Sequence, residues 1–366
     1  MNVSGDLPDT HVEFDQGEIV TARLRTSATT FKIVAPAKIS EKLVVKGGNV
    51  EISGLIEGAD NVKAIEVDAK ATADGTSAPV QITIAENATI GTSGTGGENG
   101  GITTSANVVI VNNTTQEVNV TVPTDVQESV QVASAGTGTG EVKKNNNTVT
   151  TKPAAAIGTQ NFFTLSDALN AIPQGNDQTV TINILEDIVL KASEALTINK
   201  NNVILDGQSH TITLDETDTN LDKYKEDGDN KKYGSFQMIK VTGNDVVLRN
   251  LTLDSKGYRG VSLATTWGGK NATYQNIVYN GKGSGHYYGY AASEGTLTFI
   301  GCTFNTCGYA IHTAESTTDL VVTDCNIDGW VSYGDKTKSA TFTNCKFYKA
   351  DDKHNGMLAT VRPYCG

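Results

Sequence analysis

The sequence is poor in charge, in aromatic residues and in long apolar runs. Charged residues make up 19% and aromatic residues 6% of the 366 positions. No stretch reaches the roughly 18 to 20 uninterrupted apolar residues that a membrane-spanning helix needs. Acidic residues outnumber basic ones by 41 to 29, which gives a net charge of −12. A nucleic-acid-binding protein needs a basic face, so the negative net charge predicts no nucleic-acid partner. The lack of a long apolar run predicts no transmembrane segment.

Small polar residues and glycine take the place of charge. Thr, Asn and Ser are abundant, and there are 37 glycines. Disordered chains are short of apolar residues and rich in charge, whereas helix-rich chains favour Ala, Leu, Glu, Lys and Arg. Neither description fits a chain with 38% hydrophobic and 19% charged residues. The composition predicts an all-β protein with many turns.

A pattern of seven residues occurs five times in the second half of the chain, starting at positions 247, 273, 298, 321 and 341. Its second and seventh residues are apolar, and its fifth is apolar or Cys. Its fourth residues lie 26, 25, 23 and 20 positions apart and are Asn250, Asn276, Gly301, Asp324 and Asn344. A period of this length with short β segments predicts a solenoid, whose turns bury their apolar faces against one another.

Stacking of the repeats places like residues over like residues. The second residues form one inward column: Leu248, Tyr274, Phe299, Val322 and Phe342. The seventh residues form another: Leu253, Tyr279, Phe304, Ile327 and Phe347. The fourth residues suit a turn, since Asn and Gly accept left-handed backbone angles. A stacked Asn column can also carry a ladder of side-chain hydrogen bonds.

All five cysteines lie between positions 302 and 365 and form no C-x-x-C pair, which argues against a zinc site. The fifth residues of the pattern form a third column: Leu251, Ile277, Cys302, Cys325 and Cys345. A free Cys behaves as a small buried hydrophobe, and in-register side chains point in parallel. We therefore expect three buried, unbridged thiols in this column.

This columned pattern resembles the right-handed parallel β-helix of the pectate lyase-like superfamily, in its bacterial surface or adhesin-type members. The resemblance covers about residues 160–362. Apolar residues between Phe163 and Ile172 have helical spacing, Thr164 or Ser166 can cap the helix, and Pro173 ends it. Members of the superfamily commonly cover the N-terminal end of the barrel with such a helix. The resemblance thus implies a β-helix domain over residues 161–366 with an N-terminal capping helix.

The first half of the chain is also β-rich but shows no comparable columns. For residues 1–135 we predict a domain that is an irregular β-solenoid or, alternatively, a β-sandwich. Residues 136–160 are rich in Gly, Asn and Thr and are predicted to be a linker between the two domains.

Catalytic signatures of the superfamily are not evident in this sequence. The Asp351-Asp352 pair and Gly285-His286 come in the wrong order for a polygalacturonase-like hydrolase. A lyase base at Arg259 lacks an Asp cluster on the neighbouring repeats. The charged insertion at 215–236 can offer oxygen ligands to Ca²⁺, but its interspersed lysines favour a solvated loop. The catalytic residues stay unknown, no metal site or cofactor is assigned, and Ca²⁺ is left open.

Aromatic and polar residues recur near one corner of successive repeats. They suggest a ligand-binding stripe of Tyr258, Arg259, Tyr288, Tyr309, His312 and Trp330. Rings that face outward suit stacking against sugars, whereas rings tucked into the corner belong to the core. The sequence leaves both possibilities open.

These observations lead to three functional hypotheses. We expect non-catalytic adhesion or binding to a polysaccharide or a host or cell-surface glycan. The alternatives are a lyase or glycoside hydrolase acting on an acidic polysaccharide, and a structural spacer in a surface assembly. The first residues lack the basic start and apolar core of an export signal. Long Thr/Asn/Gly-rich β chains are mostly exported, so we expect an extracellular or bacterial cell-surface location. The oligomeric state is left open.

Overall fold

A computed structural model describes residues 1–4, 11–25, 30–58, 63–68, 80–91, 101–224, 236–256, 258, 261–283, 289–291, 294–307, 309–313, 318–333, 336–348 and 361–363. It is 54% strand and 6% helix, which confirms the all-β class. The chain forms two compact units, one of residues 1–153 with 160–163 and one of residues 154–159 with 164–366.

The first unit consists of short strands that pair in parallel. Its strands are β1 (Asn2–Ser4), β2 (His11–Phe14), β3 (Glu18–Arg25), β4 (Thr30–Ile33), β5 (Lys38–Val45), β6 (Asn49–Ile52), β7 (Leu55–Ile56), β8 (Ile65–Val67), β9 (Val80–Ile84), β10 (Thr89–Ile90), β11 (Ile102–Thr104), β12 (Val108–Asn112), β13 (Val118–Thr121), β14 (Val132–Ala135), β15 (Val142–Lys144) and β16 (Asn147–Thr148). One sheet has the order β1-β3-β5-β8-β11-β13-β15-β16, with β7 and β10 at its side, and the other has the order β14-β12-β9-β6-β4-β2.

Strands of the first unit pair in parallel, and several of them bury one face only, as β3, β4 and β6 do. Only β15 and β16 pair antiparallel among the pairs described here. The core is built mainly from β-branched residues together with Phe31, and these residues stack in register, with Phe31 over Val50 and Val50 over Ile82, all buried. Immunoglobulin-like sandwiches are antiparallel, so this pairing argues against the β-sandwich alternative.

Residues 136–160 differ from the linker that their composition predicts. They contain β15, β16 and a further strand, β17 (Ala155–Ile157). Three glycines here lie against the backbone of residues 112–116, where an added Cβ would approach main-chain oxygens to 2.0–2.4 Å. The side chain of buried Asn112 donates to the carbonyls of Gln116 and Gly140. The glycines in this segment therefore permit close packing.

The second unit contains one helix and two further sheets. After β18 (Gln160–Phe162), which groups with the first unit, come α1 (Leu165–Ala171), β19 (Val180–Ile184), β20 (Ile188–Leu190), β21 (Leu196–Ile198), β22 (Val203–Asp206), β23 (Thr211–Leu214), β24 (Phe236–Val241), β25 (Val247–Asp254), β26 (Val261–Thr266), β27 (Ala272–Gly283), β28 (Gly289–Ala291), β29 (Gly295–Ile300), β30 (Thr303–Cys307), β31 (Tyr309–Thr313), β32 (Thr318–Thr323), β33 (Asn326–Asp328), β34 (Trp330–Tyr333), β35 (Ser339–Thr343), β36 (Lys346–Tyr348) and β37 (Val361–Pro363). Short 3₁₀ helices span Ala192–Glu194 and Thr219–Tyr224.

The predicted helix is present and packs against the first strands of the second unit. Thr164 caps α1, and a reciprocal hydrogen bond from the Thr164 backbone to Asp167 completes a capping box. The buried face of the helix carries Leu165, Ala168 and Leu169. It packs on β17, β19 and β21. The apolar spacing seen in the sequence is thus the spacing of this face.

The register of the strands reproduces all three predicted columns. Leu248 pairs with Tyr274, Tyr274 with Phe299, Phe299 with Val322 and Val322 with Phe342. The Tyr274 and Phe299 rings stack with centroids 5.1 Å apart, and Tyr279 and Phe304 stack at 4.5 Å. Members of these columns up to Val322 and Ile327 are buried, whereas Phe347 is 37% exposed.

The turn column adopts the left-handed backbone that the sequence predicts. Its five members, the fourth residues of the pattern, have φ between 52° and 63°. The Asn276 amide donates to Asn250 Oδ1 at 3.1 Å, and the Asn250 amide donates to Asp206 Oδ1 at 3.2 Å. An added Cβ on Gly301 would lie 2.6 Å from Asn276 Oδ1, so glycine fits where the ladder is interrupted.

The cysteine column follows the same register. Cys302 and Cys325 are buried, Cys345 is half-buried, and all three are free thiols. The backbone N–H of Cys302 lies 3.4 Å from Cys325 Sγ, and Cys302 Sγ donates to the carbonyl of Tyr274 at 3.3 Å. Burial raises the pKa of the Cys302 thiol. The prediction of unbridged, buried thiols is confirmed for Cys302 and Cys325.

The burial difference within the columns yields a stability test. Phe299→Ala removes a fully buried ring from between Tyr274 and Val322 and should lower the free energy of unfolding by roughly 3–5 kcal/mol. Phe347→Ala serves as the matched control and should cost about 1–2 kcal/mol, because its ring is partly exposed. Urea unfolding followed by tryptophan fluorescence measures both. Equal losses for the two variants would contradict the described register.

Candidate functional site

Four of the six residues of the predicted stripe lie within the described part of the chain, and two of these four are buried. Tyr258 is buried with 2% exposure, and His312 is buried with 7% exposure. Tyr309 and Trp330 are register partners in the adjacent strands β31 and β34.

Arg259 and Tyr288 lie outside the described residues. The burial of Tyr258 matches the alternative in which corner rings belong to the core. The stripe as a whole stays a prediction.

His312 is buried in β31. Its register partners in the neighbouring strands are Tyr290 and Ser332. Loss of solvation lowers the pKa of the imidazole to about 4. The side chain is therefore neutral at pH 7.

An exposed tryptophan that sequence reasoning missed lies at the end of β26. Trp267 is 45% exposed, and the ammonium group of Lys240, on the neighbouring strand β24, lies 5.8 Å from the centroid of its ring. The backbone N–H of Trp267 donates to the carbonyl of Val241 at 2.7 Å, which ties the residue to β24. The ring is thus presented by two paired strands, beside a cation.

Two glycines shape the corner that follows this ring. Gly268 has φ 98°, a conformation that residues with a Cβ rarely adopt. Gly269 is buried against the carbonyl oxygen of Gly243, where a Cβ would approach to 2.2 Å. The chain therefore turns sharply directly after Trp267. The signal in the sequence was Trp267-Gly268-Gly269 directly after a β segment, but the predicted stripe did not include Trp267.

Among the described residues of the second unit, the most buried carboxylate accepts three hydrogen bonds. Asp206 is 3% exposed and accepts hydrogen bonds from Arg249 Nε at 2.7 Å, Asn250 Nδ2 at 3.2 Å and the backbone of Gln208 at 3.1 Å. Burial alone raises the pKa of this carboxyl, but the three donors outweigh burial and hold the pKa below its usual value. Asp206 is therefore a structural anion at the head of the Asn ladder.

A second carboxylate contact joins Asp187 and His210. The Asp187 carboxylate accepts from the backbone of Thr211 at 2.8 Å and lies 3.2 Å from His210 Nδ1. The Thr211 bond and then the His210 contact lower the pKa of Asp187. The carboxylate is widely exposed, so solvent screens its interaction with the ring.

Metal-site and membrane-span searches cover only the part of the chain that the structure describes. Within it, no three His, Cys, Asp or Glu side chains are grouped so as to hold a metal ion. Within it also, no helix has the length and apolar character needed to cross a bilayer.

No protein-family model, no curated protein and no solved structure matches this chain.

The burial of His312 predicts a pH dependence of stability. Its folded pKa of about 4 lies below the ordinary value of 6.5, so the unfolded state binds more protons between these values. The stabilising contribution is complete above about pH 6.5 and is lost as pH falls toward 4. His312→Gln should remove this component, and the exposed His11→Gln is the control. Urea midpoints at about pH 7.5 and pH 4.5 measure it; the same pH slope in wild type and His312→Gln would contradict the assignment.

Proposed function

We propose that this chain is an extracellular or bacterial cell-surface protein with a parallel β-helix fold like that of the pectate lyase-like superfamily, and that it binds glycans without catalysing a reaction. The fold proposal is supported by parallel strands in register at the repeat period and by the helix over the first strands. The single observation that carries the function is the exposed ring of Trp267 beside Lys240.

The chemistry of this pair suits a sugar. An indole offers a rigid apolar face that stacks on the C–H face of a pyranose, and its burial costs little conformational entropy. The Lys240 ammonium donates hydrogen bonds to sugar hydroxyls or to a uronate carboxylate. Lys240 lies in β24, and Trp267 is tied to the same strand through Val241, so the two backbones are held side by side before the ligand arrives, which favours affinity.

The enzymatic alternative has less support. Glycoside hydrolysis needs two carboxyl groups across the scissile bond, one of them available as an acid. Asp206 is saturated by three donors, and Asp187 is solvated at the surface. Neither carboxylate lies in an environment that raises its pKa. Binding without chemistry therefore agrees better with the described carboxylates.

The test is glycan binding by matched aromatic variants. After a glycan array identifies a ligand, Trp267→Ala should weaken its binding roughly tenfold or more, and Trp267→Phe should retain part of the affinity. Tyr348→Ala is the control, because Tyr348 is also exposed, at 50%. Lys240→Gln should affect uronate-bearing glycans most. Trp330→Ala tests the predicted stripe in the same assay.

Stability must be measured beside affinity. Trp267 is nearly half exposed, so Trp267→Ala should leave the melting temperature close to that of the wild type. A folded Trp267→Ala variant with unchanged affinity would overturn the assignment of the site. An array on which the folded wild type binds no glycan would overturn the proposed function.

A further inference from the structure

A groove with four cationic side chains lies on the outward face of the first unit. It is an open groove of about 480 Å³ on strands β3 and β5. Its cations are Arg23, Arg25, Lys42 and Lys46. Arg23 and Arg25 alternate with the buried Ala22 and Leu24, which fixes both guanidinium groups on the solvent side of the sheet.

The two lysines of the groove are already neutralised. Lys42 forms an ion pair with Glu66, and Lys46 Nζ lies 2.5 Å from Asp68 Oδ2. Both carboxylates belong to β8 and the residue after it, on the side of β5 that faces away from β3. The ammonium groups of both lysines therefore lie on the β8 side of β5.

The two arginines differ from the lysines. Within the described part of the chain, neither Arg23 nor Arg25 forms an ion pair with a carboxylate, and both are exposed. On their other side Arg23 pairs in register with Asn2 and Arg25 with Ser4 in β1, neither of which carries charge. Glu41 also lines the groove, so its rim contains one further acidic side chain.

We propose that this groove binds the anionic groups of an acidic polysaccharide, with Arg23 and Arg25 as the contacting residues. Guanidinium groups bind carboxylate or sulfate through two parallel hydrogen bonds. Residues two apart on a strand lie about 7 Å apart, so the two arginines can hold successive charged groups of one chain. Val44, the register partner of Arg23, supplies a small apolar floor between the cations.

Nucleic acid fits this groove less well than a polysaccharide. Affinity for nucleic acid grows with the number of phosphates neutralised, and only two cations here lack a partner among the described residues. This site lies in the first unit, so the inference does not rest on Trp267 and goes beyond the function proposed above.

The test uses the full chain and three defined polymers: polygalacturonate, dextran sulfate and uncharged dextran. Binding is measured by calorimetry at low and at physiological ionic strength. Arg23→Gln with Arg25→Gln should weaken binding of the preferred polyanion about tenfold or more, since charge-assisted hydrogen bonds are lost. Arg23→Lys with Arg25→Lys keeps the positive charges but removes the two parallel hydrogen bonds of each guanidinium group, so it should give an intermediate loss of affinity.

The matched control removes the same charge elsewhere in the first unit. Lys32 and Lys143 are ion-paired with Glu51 and Glu117, respectively. Lys32→Gln with Lys143→Gln should therefore leave binding within about twofold. Trp267→Ala should also leave polyanion binding unchanged, which separates failure of this site from failure of the proposed function.

Each outcome decides the proposal. Preference for polygalacturonate assigns a carboxylate ligand, and preference for dextran sulfate assigns a sulfate ligand. Wild-type affinity in the folded Arg23→Gln, Arg25→Gln variant would overturn the site. So would equal losses in that variant and the lysine control, binding of neither polyanion, or tighter binding of a single-stranded oligonucleotide than of both polysaccharides.

Discussion

In-register parallel stacking is the constraint on which the second unit depends. A strand can lie on its predecessor only if each repeat turns at the same place, and this turn needs a left-handed residue. Asn250, Asn276, Gly301, Asp324 and Asn344 all supply it. A residue with a Cβ ordinarily loses about 1–2 kcal/mol in this conformation, and the Asn side chains offset part of that cost through the ladder that starts at Asp206. The aromatic and cysteine columns follow from this turn.

The same constraint produces the candidate site. β24 and β26 are each paired on both sides and hold the backbones of Lys240 and Trp267 beside each other, and Gly268 and Gly269 turn the chain away directly after the ring. In the first unit, strict alternation along β3 holds Arg23 and Arg25 on the outer face while Leu24 enters the core. In both units, paired strands thus fix the backbone positions from which the outward side chains of the two proposed binding sites extend.

The sequence predicts the inner side of these sheets better than the outer side. Because the same positions are buried in each repeat, apolar residues recur in the sequence at the repeat period, and the register through Phe299 and Phe304 could be predicted. The helix capped by Thr164 could be predicted from the spacing of its own apolar residues. Outward positions carry no such trace, which is why the sequence did not predict the exposure of Trp267 and left open whether Tyr258 faces the core or the solvent. In the first unit the core consists mainly of Val and Ile, with Phe31 as a buried aromatic residue. Its glycines at 136–140 suggested a linker because close backbone approach to Asn112 has no signature in sequence.

The most direct test of the account is thiol reactivity in the native protein, because the cysteine column reports the register itself. Native protein is treated with a thiol-reactive reagent, and the labelled positions are located by mass spectrometry. The account predicts that Cys302 and Cys325 react far more slowly than the half-buried Cys345, and that all three react at similar rates after unfolding. Rapid labelling of Cys325 in the native protein, or a disulfide between Cys302 and Cys325, would contradict the stacking on which the rest of the structure depends.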